Sequence, residues 1–168
     1  MVKLAKNAVE KFVSGGEIIS PPSALPKELL EKKAGVFVSI RNSGNLRACI
    51  GTYLPTKKNI AIETIANAVS AASNDMRFEP ITKKELPSLD YEVYVLGSPE
   101  RIKDAVELNV KKYGILVESA ESRKCGLLLP NLEGIKSIEE QISIAARKGG
   151  IDPGKEKIII FRFTADKY

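Results

Sequence analysis

The sequence predicts an α+β fold: duplicated β-β-α-β units around a single barrel-like, mainly antiparallel sheet with flanking helices. Three observations carry this reading. Two apolar hairpins each end at a proline and are each followed by an amphipathic helix and a further strand, over roughly 36–96 and 113–163, the mark of an internal duplication. Hairpins mixed with helices, without a repeated βαβ alternation, argue against a doubly wound parallel sheet. Finally, 168 residues with 43% hydrophobic and 28% charged content suit one domain, 1–168, whose core needs neither disulfides nor metal.

The elements follow in order. Ala5, Ala8, Val9, Phe12 and Val13 recur at helical steps, so a helix covers 2–13 and stops at Gly15–Gly16. A loop with Pro21, Pro22 and Pro26 leads to a short helix near 26–33. VFVSIR and LRACIGTY flank the turn NSGN and form a hairpin over 36–53, closed by Pro55. Helix 59–73 presents Ile62, Ile65, Ala66, Val69 and Ala72 as one stripe. Thr82 and Glu85 have capping-box spacing. A strand over 89–96 alternates Leu89, Tyr91, Val93 and Val95 against Asp90, Glu92 and Tyr94, with Glu92 facing solvent. Ser98-Pro99-Glu100 reads as a turn. YGILVE and RKCGLLLP form the second hairpin, Ser137 and Glu140 cap a helix over 138–148, and EKIIIFRFT is a final strand.

Composition narrows the chemistry. Histidine is absent, which removes Ser-His-Asp and Cys-His pairings and His-containing zinc sites. The two cysteines, Cys49 and Cys125, form no CxxC motif, so neither a structural metal nor a disulfide framework is expected. No phosphate-binding glycine fingerprint occurs, and no cofactor is expected. The N-terminal helix contains Lys and Glu within its apolar pattern, unlike a signal peptide. With no long apolar run, a cytoplasmic protein away from membranes is expected. Residues 1–84 hold 13 of the 26 Lys+Arg but only 7 of the 21 Asp+Glu. That basic half could attract nucleic acid or a small anion, but its lysines come in scattered pairs beside turns with few aromatics, so nucleic acid is the lesser expectation.

The candidate site is LRACIGTY, residues 46–53. In an extended strand Arg47, Cys49, Gly51 and Tyr53 share one face, about 6.6 Å between successive members. A guanidinium that close to a thiol favours the thiolate. Gly51 would leave open floor beside the sulfur for a ligand or another backbone, and Arg47 offers a fork for carboxylate or phosphate. Together they suggest a small anion-binding cleft with Cys49 as the reactive group and Arg47 as the clamp. A cysteine in an apolar strand is most often a small buried hydrophobe, the alternative role for Cys49 and the expected role of Cys125. Asp75, Arg77 and Phe78, in NDMRFEP after a helix C-terminus, form the second polar group. There Asp75 would orient Arg47 or Arg77 by a charge-assisted bond, or the group is a local ion pair that anchors the loop with Phe78 plugged into the core.

GNLRACIGTY, NDMRFEPIT, VYVLGSPERI, YGILVE, GLLLP and IAARKGGI resemble, in that order, the AMMECR domain family, also called AmmeMemoRadiSam system protein A. The resemblance implies an α+β fold with a duplicated β/α unit, and places the family signature on Leu46, Arg47, Cys49, Ile50, Gly51, Asp75, Arg77 and Phe78. It also implies association with a Memo-like (extradiol-dioxygenase-like) domain and a radical S-adenosylmethionine protein. LLLPNLEG is most similar to members fused behind a Memo-like domain, so an excised C-terminal domain is one expectation. Ala48 replaces a usual glycine, and Arg41 and Tyr113 stand where histidines are common, so a histidine base is not available to this chain. Three functions follow as expectations. The first is an enzyme or enzyme component acting with those proteins, the second a non-catalytic module docking them, and the third a nucleic-acid binder.

Overall fold

A computed structural model describes residues 1–168. The helices are α1 (Val2–Gly15), α2 (Lys27–Glu31), α3 (Ile60–Asn74) and α4 (Ile138–Lys148). The strands are β1 (Val36–Asn42), β2 (Asn45–Thr52), β3 (Leu89–Leu96), β4 (Glu100–Arg101), β5 (Gly114–Ser119), β6 (Cys125–Leu128), β7 (Ile158–Phe163) and β8 (Ala165–Lys167). Local residues set one end each of α1, α3 and α4. Gly16, left-handed at φ 73°, donates its N–H to the Phe12 carbonyl and ends α1. Asn59 and Ser137 cap α3 and α4 by accepting from the N–H groups of Ile62 and Glu140. Ser43 and Gly44, both at positive φ, make the tight turn of the first hairpin.

The chain divides into two compact units, Met1–Leu96 with Asp166–Tyr168, and Gly97–Ala165. The first carries the sheet β2-β1-β3-β8 and the second the sheet β4-β7-β5-β6. The expected α+β class and antiparallel pairing hold, but the strands form two sheets instead of one barrel-like sheet. In each unit the strand after the helix pairs back onto the first strand of its own hairpin, so each ladder is completed locally. The chain changes ladders between Leu96, whose N–H bonds the Gly35 carbonyl, and Gly97, whose N–H bonds the Thr164 carbonyl. Strands β4 and β8, too short to show alternation, are additions to the sequence reading.

In the first unit α1 and α3 pack together over one face of the sheet. Leu4, Ala5, Ala8 and Val9 meet Val36, Val38, Ile40, Ala48, Ile65, Ala68 and Val93 in its core. The α3 stripe is rotated from the expected one. Ile65 and Ala72 are buried, whereas Ile62, Ala66 and Val69 are only half-buried, and Ala61, Thr64, Ala68 and Ala71 take their places. The core of the second unit is separate and gathers Leu108, Ile115, Val117, Leu128, Ala145, Ala146 and Ile151. No helix is long and apolar enough to cross a membrane.

Candidate functional site

Strand β2 keeps the expected alternation over its second half. Ala48 is fully buried, Ile50 packs on the core, and Thr52 donates to the buried Glu63 carboxylate at 2.8 Å. Cys49, half-buried, lies on the other face. The expected row of Arg47, Cys49 and Gly51 does not survive, for two reasons. The β1–β2 register steps from Ile40↔Ala48 to Arg41↔Leu46, which leaves Arg47 as the unpaired residue of a β-bulge. Bulges re-aim side chains. Arg47 gives Nε and Nη2 to Glu85 at 2.6 and 3.3 Å, and Nη2 also reaches the Pro80 carbonyl. The clamp is thus occupied from within the chain. The Arg47 hydrogen bond holds the Glu85 carboxyl down at about 2 against the cost of burial, helped by the Thr82 N–H and hydroxyl. The Thr82–Glu85 capping contact therefore forms, with Glu85 serving both the cap and Arg47. Gly51 is not open floor either. A Cβ there would stand 2.2 Å from the Phe37 ring, its cross-strand partner, so the bare backbone accommodates that ring.

Asp75, Arg77 and Cys49 do come together. Asp75 caps the C-terminal end of α3 with extended backbone and turns its 4%-exposed side chain onto β2. Its Oδ2 accepts the Cys49 N–H at 2.8 Å and Arg77 Nη2 at 2.7 Å, while Oδ1 accepts Arg77 Nε at 2.9 Å. Arg77 Nη2 also donates to the Cys49 carbonyl at 3.0 Å. β2 is an edge strand, so this pair satisfies both outward main-chain groups of Cys49, as a neighbouring strand would. The Arg77 hydrogen bond, opposed by burial and aided by the Cys49 N–H, holds the Asp75 carboxyl at about 2. Arg77 is shifted upward by its bond to Asp75, with smaller Coulombic contributions from Asp75 and Cys49. Its side chain remains 56% exposed and lies 5.4 Å over the half-buried Phe78 ring. Met76, between Asp75 and Arg77 in the chain, is fully exposed.

Two further groups escaped the sequence reading. Glu63 is fully buried, yet accepts bonds from Thr52 Oγ1, Thr56 N and Oγ1, and Lys57 N. Burial alone would raise its pKa, but these donors bring it below the ordinary value. A lone carboxylate inside the apolar run NIAIETIANAV was the available signal. Cys49, Ser39 and Glu92 also stand opposite one another across β2, β1 and β3. Glu92 is not the solvated residue expected. Its 22%-exposed carboxylate meets Lys167 at 2.5 Å and Arg41 at 3.6 Å, and accepts from the Tyr94 hydroxyl. Cys125, on β6, is also half-buried; the backbone at the end of α4 lies against it, since a Cβ at Gly149 would stand 2.6 Å from the Cys125 carbonyl carbon.

An α+β protein of two β-β-α-β units, with a cysteine-bearing edge strand tied to an Asp-x-Arg-Phe loop, is the class these features define. The chain belongs to the AMMECR1 family, whose model matches residues 2–168. It is similar to a protein of Thermotoga maritima, 44% identical over 168 residues that span 99% of this chain and 95% of the relative. A Clostridium acetobutylicum protein is 45% identical over 159 residues, 94% of this chain but 33% of that longer protein. The crystal structure of an uncharacterized protein from Pyrococcus horikoshii matches with a TM-score of 0.90 at 32% identity, covering 99% of this chain and 87% of the other.

Proposed function

We propose that the chain is an enzyme or enzyme component with a small anion-binding cleft on the first unit, in which Cys49 is the thiol and Arg77 supplies the anion contact. The observation that carries this reading is the Asp75 carboxylate, which holds the Cys49 main chain and the Arg77 fork in one assembly. Both guanidiniums give Nε and Nη2 to a carboxylate, Arg47 to Glu85 and Arg77 to Asp75, but the Arg77 side chain is 56% exposed against 17% for Arg47, so the cation accessible to a carboxylate or phosphate is the loop arginine. With no histidine in the chain, Cys49 is activated in this reading by the Arg77 charge or by a base other than imidazole, such as a carboxylate or a bound water. The resemblance to the AmmeMemoRadiSam system makes a Memo-like domain and a radical S-adenosylmethionine protein the partners in this reading.

Alkylation by iodoacetamide tests it, because Cys49 and Cys125 are both half-buried and serve as internal references. Cys49 is expected to react faster than Cys125 at neutral pH, and Arg77→Gln to remove most of that advantage. Equal, slow labelling of the two thiols overturns the thiolate role.

A second reading, a docking module for the same partners, is favoured by Met76, fully exposed between Asp75 and Arg77, and by Leu46, 39% exposed at the start of β2. Binding to a Memo-like protein that survives Cys49→Ala but fails with Met76→Asp would select this reading over the first.

A further inference from the structure

The second unit has an incomplete sheet edge. β4 pairs with β7 only at Glu100↔Arg162 and Arg101↔Phe161. One more bond, from the Ile102 N–H to the Ile160 carbonyl at 3.0 Å, ends the ladder, and the chain then turns away through Asp104 and the 105–107 turn. Main-chain groups of a strand face alternate edges, so those of Ile158 point the same way as the Ile160 carbonyl. The ladder stops short of them, and they are left without a backbone partner on that edge.

A hollow of about 650 Å³ opens in this fork, lined by Arg101, Ile102, Lys103, Asp104, Ala105 and the β7 residues 158–160. Its floor is apolar, because Ile102, Ile158 and Ile160 pack on the second core. Two exposed cations, Arg101 and Lys103, line it, and the exposed Lys157 immediately precedes Ile158 in the chain. The ion pairs of this unit join other residues, Lys124 with Glu156, Lys155 with Asp152, and Arg162 with Glu100 and Glu107. The carboxylate on the rim, Asp104, accepts the Val106 N–H in a local cap. Val106, next in the chain to the lining residue Ala105, is 82% exposed. Exposed edges are usually blunted by charge or covered by other chain. Here Arg101 and Lys103 have no ion-pair partner, the one carboxylate lining the hollow, Asp104, is held in its local cap, and the surface beneath them is isoleucine.

We infer that this fork is a strand-addition site for an extended, acidic, apolar-alternating peptide segment of a partner protein. The peptide main chain would continue the sheet beyond β4 along Ile158, its apolar side chains would fill the hollow, and its carboxylates would meet Arg101, Lys103 and Lys157. Strand addition takes affinity from main-chain bonds and specificity from pockets for alternate side chains, and the fork offers both. The free edge favours a peptide over a compact small molecule, which would leave the Ile158 groups unpaired. The site lies within the second unit and is independent of the Cys49 assembly.

The test uses the whole chain and a fluorescein-labelled, end-blocked peptide of alternating valine and glutamate. Saturable anisotropy, with slowed hydrogen exchange at the Ile158 and Ile160 amides, is the expected result. Arg101→Glu with Lys103→Glu should weaken binding by roughly tenfold or more and favour a second peptide in which lysine replaces each glutamate, at an unchanged melting temperature. N-methylation of alternate peptide amides should abolish binding, since it removes ladder donors without changing charge. Absence of binding at millimolar peptide overturns the inference. So does equal binding of the N-methylated peptide, or full competition by N-acetylglutamate, which would reduce the site to an anion pocket. Protection of Ile158 that rises with protein concentration in the absence of peptide would assign the edge to a second copy of the chain and overturn it as well.

Discussion

In the first unit Cys49 stands opposite Ser39, and in the second Cys125 stands opposite Glu118; the pairs Val36↔Thr52 and Ile115↔Leu128 match in the same way. The third strands also agree, with Phe37↔Tyr94 corresponding to Leu116↔Phe161. Both helices begin at a capping side chain, and the residue four positions beyond it is buried in both, Glu63 in one and Gln141 in the other. Yet the two hairpins are used differently. Glu63 ties α3 to Thr52 and the loop after β2, whereas Gln141 gives its Nε2 to the Tyr113 carbonyl before β5. At the position of Ile50 the second unit has Gly126, and α4 rests directly on it: a Cβ there would lie 1.9 Å from the Ala145 carbonyl oxygen. One duplicated plan thus makes both β2 and β6 edge strands, β2 covered by the Asp75–Arg77 pair and β6 by helix backbone. The lesson is that a shared register does not carry a shared surface. One or two residues at matched positions decide what lies over each cysteine.

The sharpest way to break this comparison is to give both hairpins the same side chain. Gly126→Ala is expected to cost about 3 kcal/mol, because the methyl meets helix backbone that cannot move alone. Gly51→Ala should cost only about 1 kcal/mol, since the Phe37 ring can turn aside. Denaturant unfolding of the two variants measures the difference, and equal costs would break it. Exchanging the buried helix residue comes next. Glu63→Gln replaces a carboxylate facing four donors by an amide with one acceptor oxygen, leaves donors opposed to donors, and should cost about 2 kcal/mol. The loss should appear as faster amide exchange at Thr56 and Lys57, with β5 and β6 unaffected.

Acid sharpens the contrast with a smaller effect. Asp75 titrates at about 2 against an ordinary 3.8, so its stabilisation is complete above the unfolded value and is lost as pH falls toward the folded one. At most about 2 kcal/mol is at stake, and Glu85, also held near 2, adds in the same direction. Between pH 4 and 2 the Cys49 amide should lose exchange protection before the amides of β5 do. Arg77→Gln should move that loss to higher pH. Simultaneous loss in both units would show that the Asp75 pair does not hold the edge.

Much of the architecture was written in local pattern. Every helix and every strand of four or more residues was legible, because alternation, helical spacing, capping residues and Gly-containing turns act over a few neighbours. The duplication was legible for the same reason, as was the Thr82–Glu85 contact. The site was legible only in its members. Cys49, Asp75 and Arg77 meet as a group, but the bulge that removes Arg47 from the row depends on how many residues β1 sets against β2. The covering of Gly51 depends on which ring lies across from it, and the partners of Glu63 depend on the loop that folds over it.

Residue spacing and composition determined the class of fold, the repeated unit, the absence of histidine chemistry and the residue types available at β2. Tertiary structure decided the division into two sheets, the partner of each charged group and the edge left open beside β7. The reason is physical: secondary structure answers to interactions within a few residues, whereas a guanidinium takes whichever carboxylate the completed fold brings within 3 Å, and for Arg47 that was Glu85, 38 residues away.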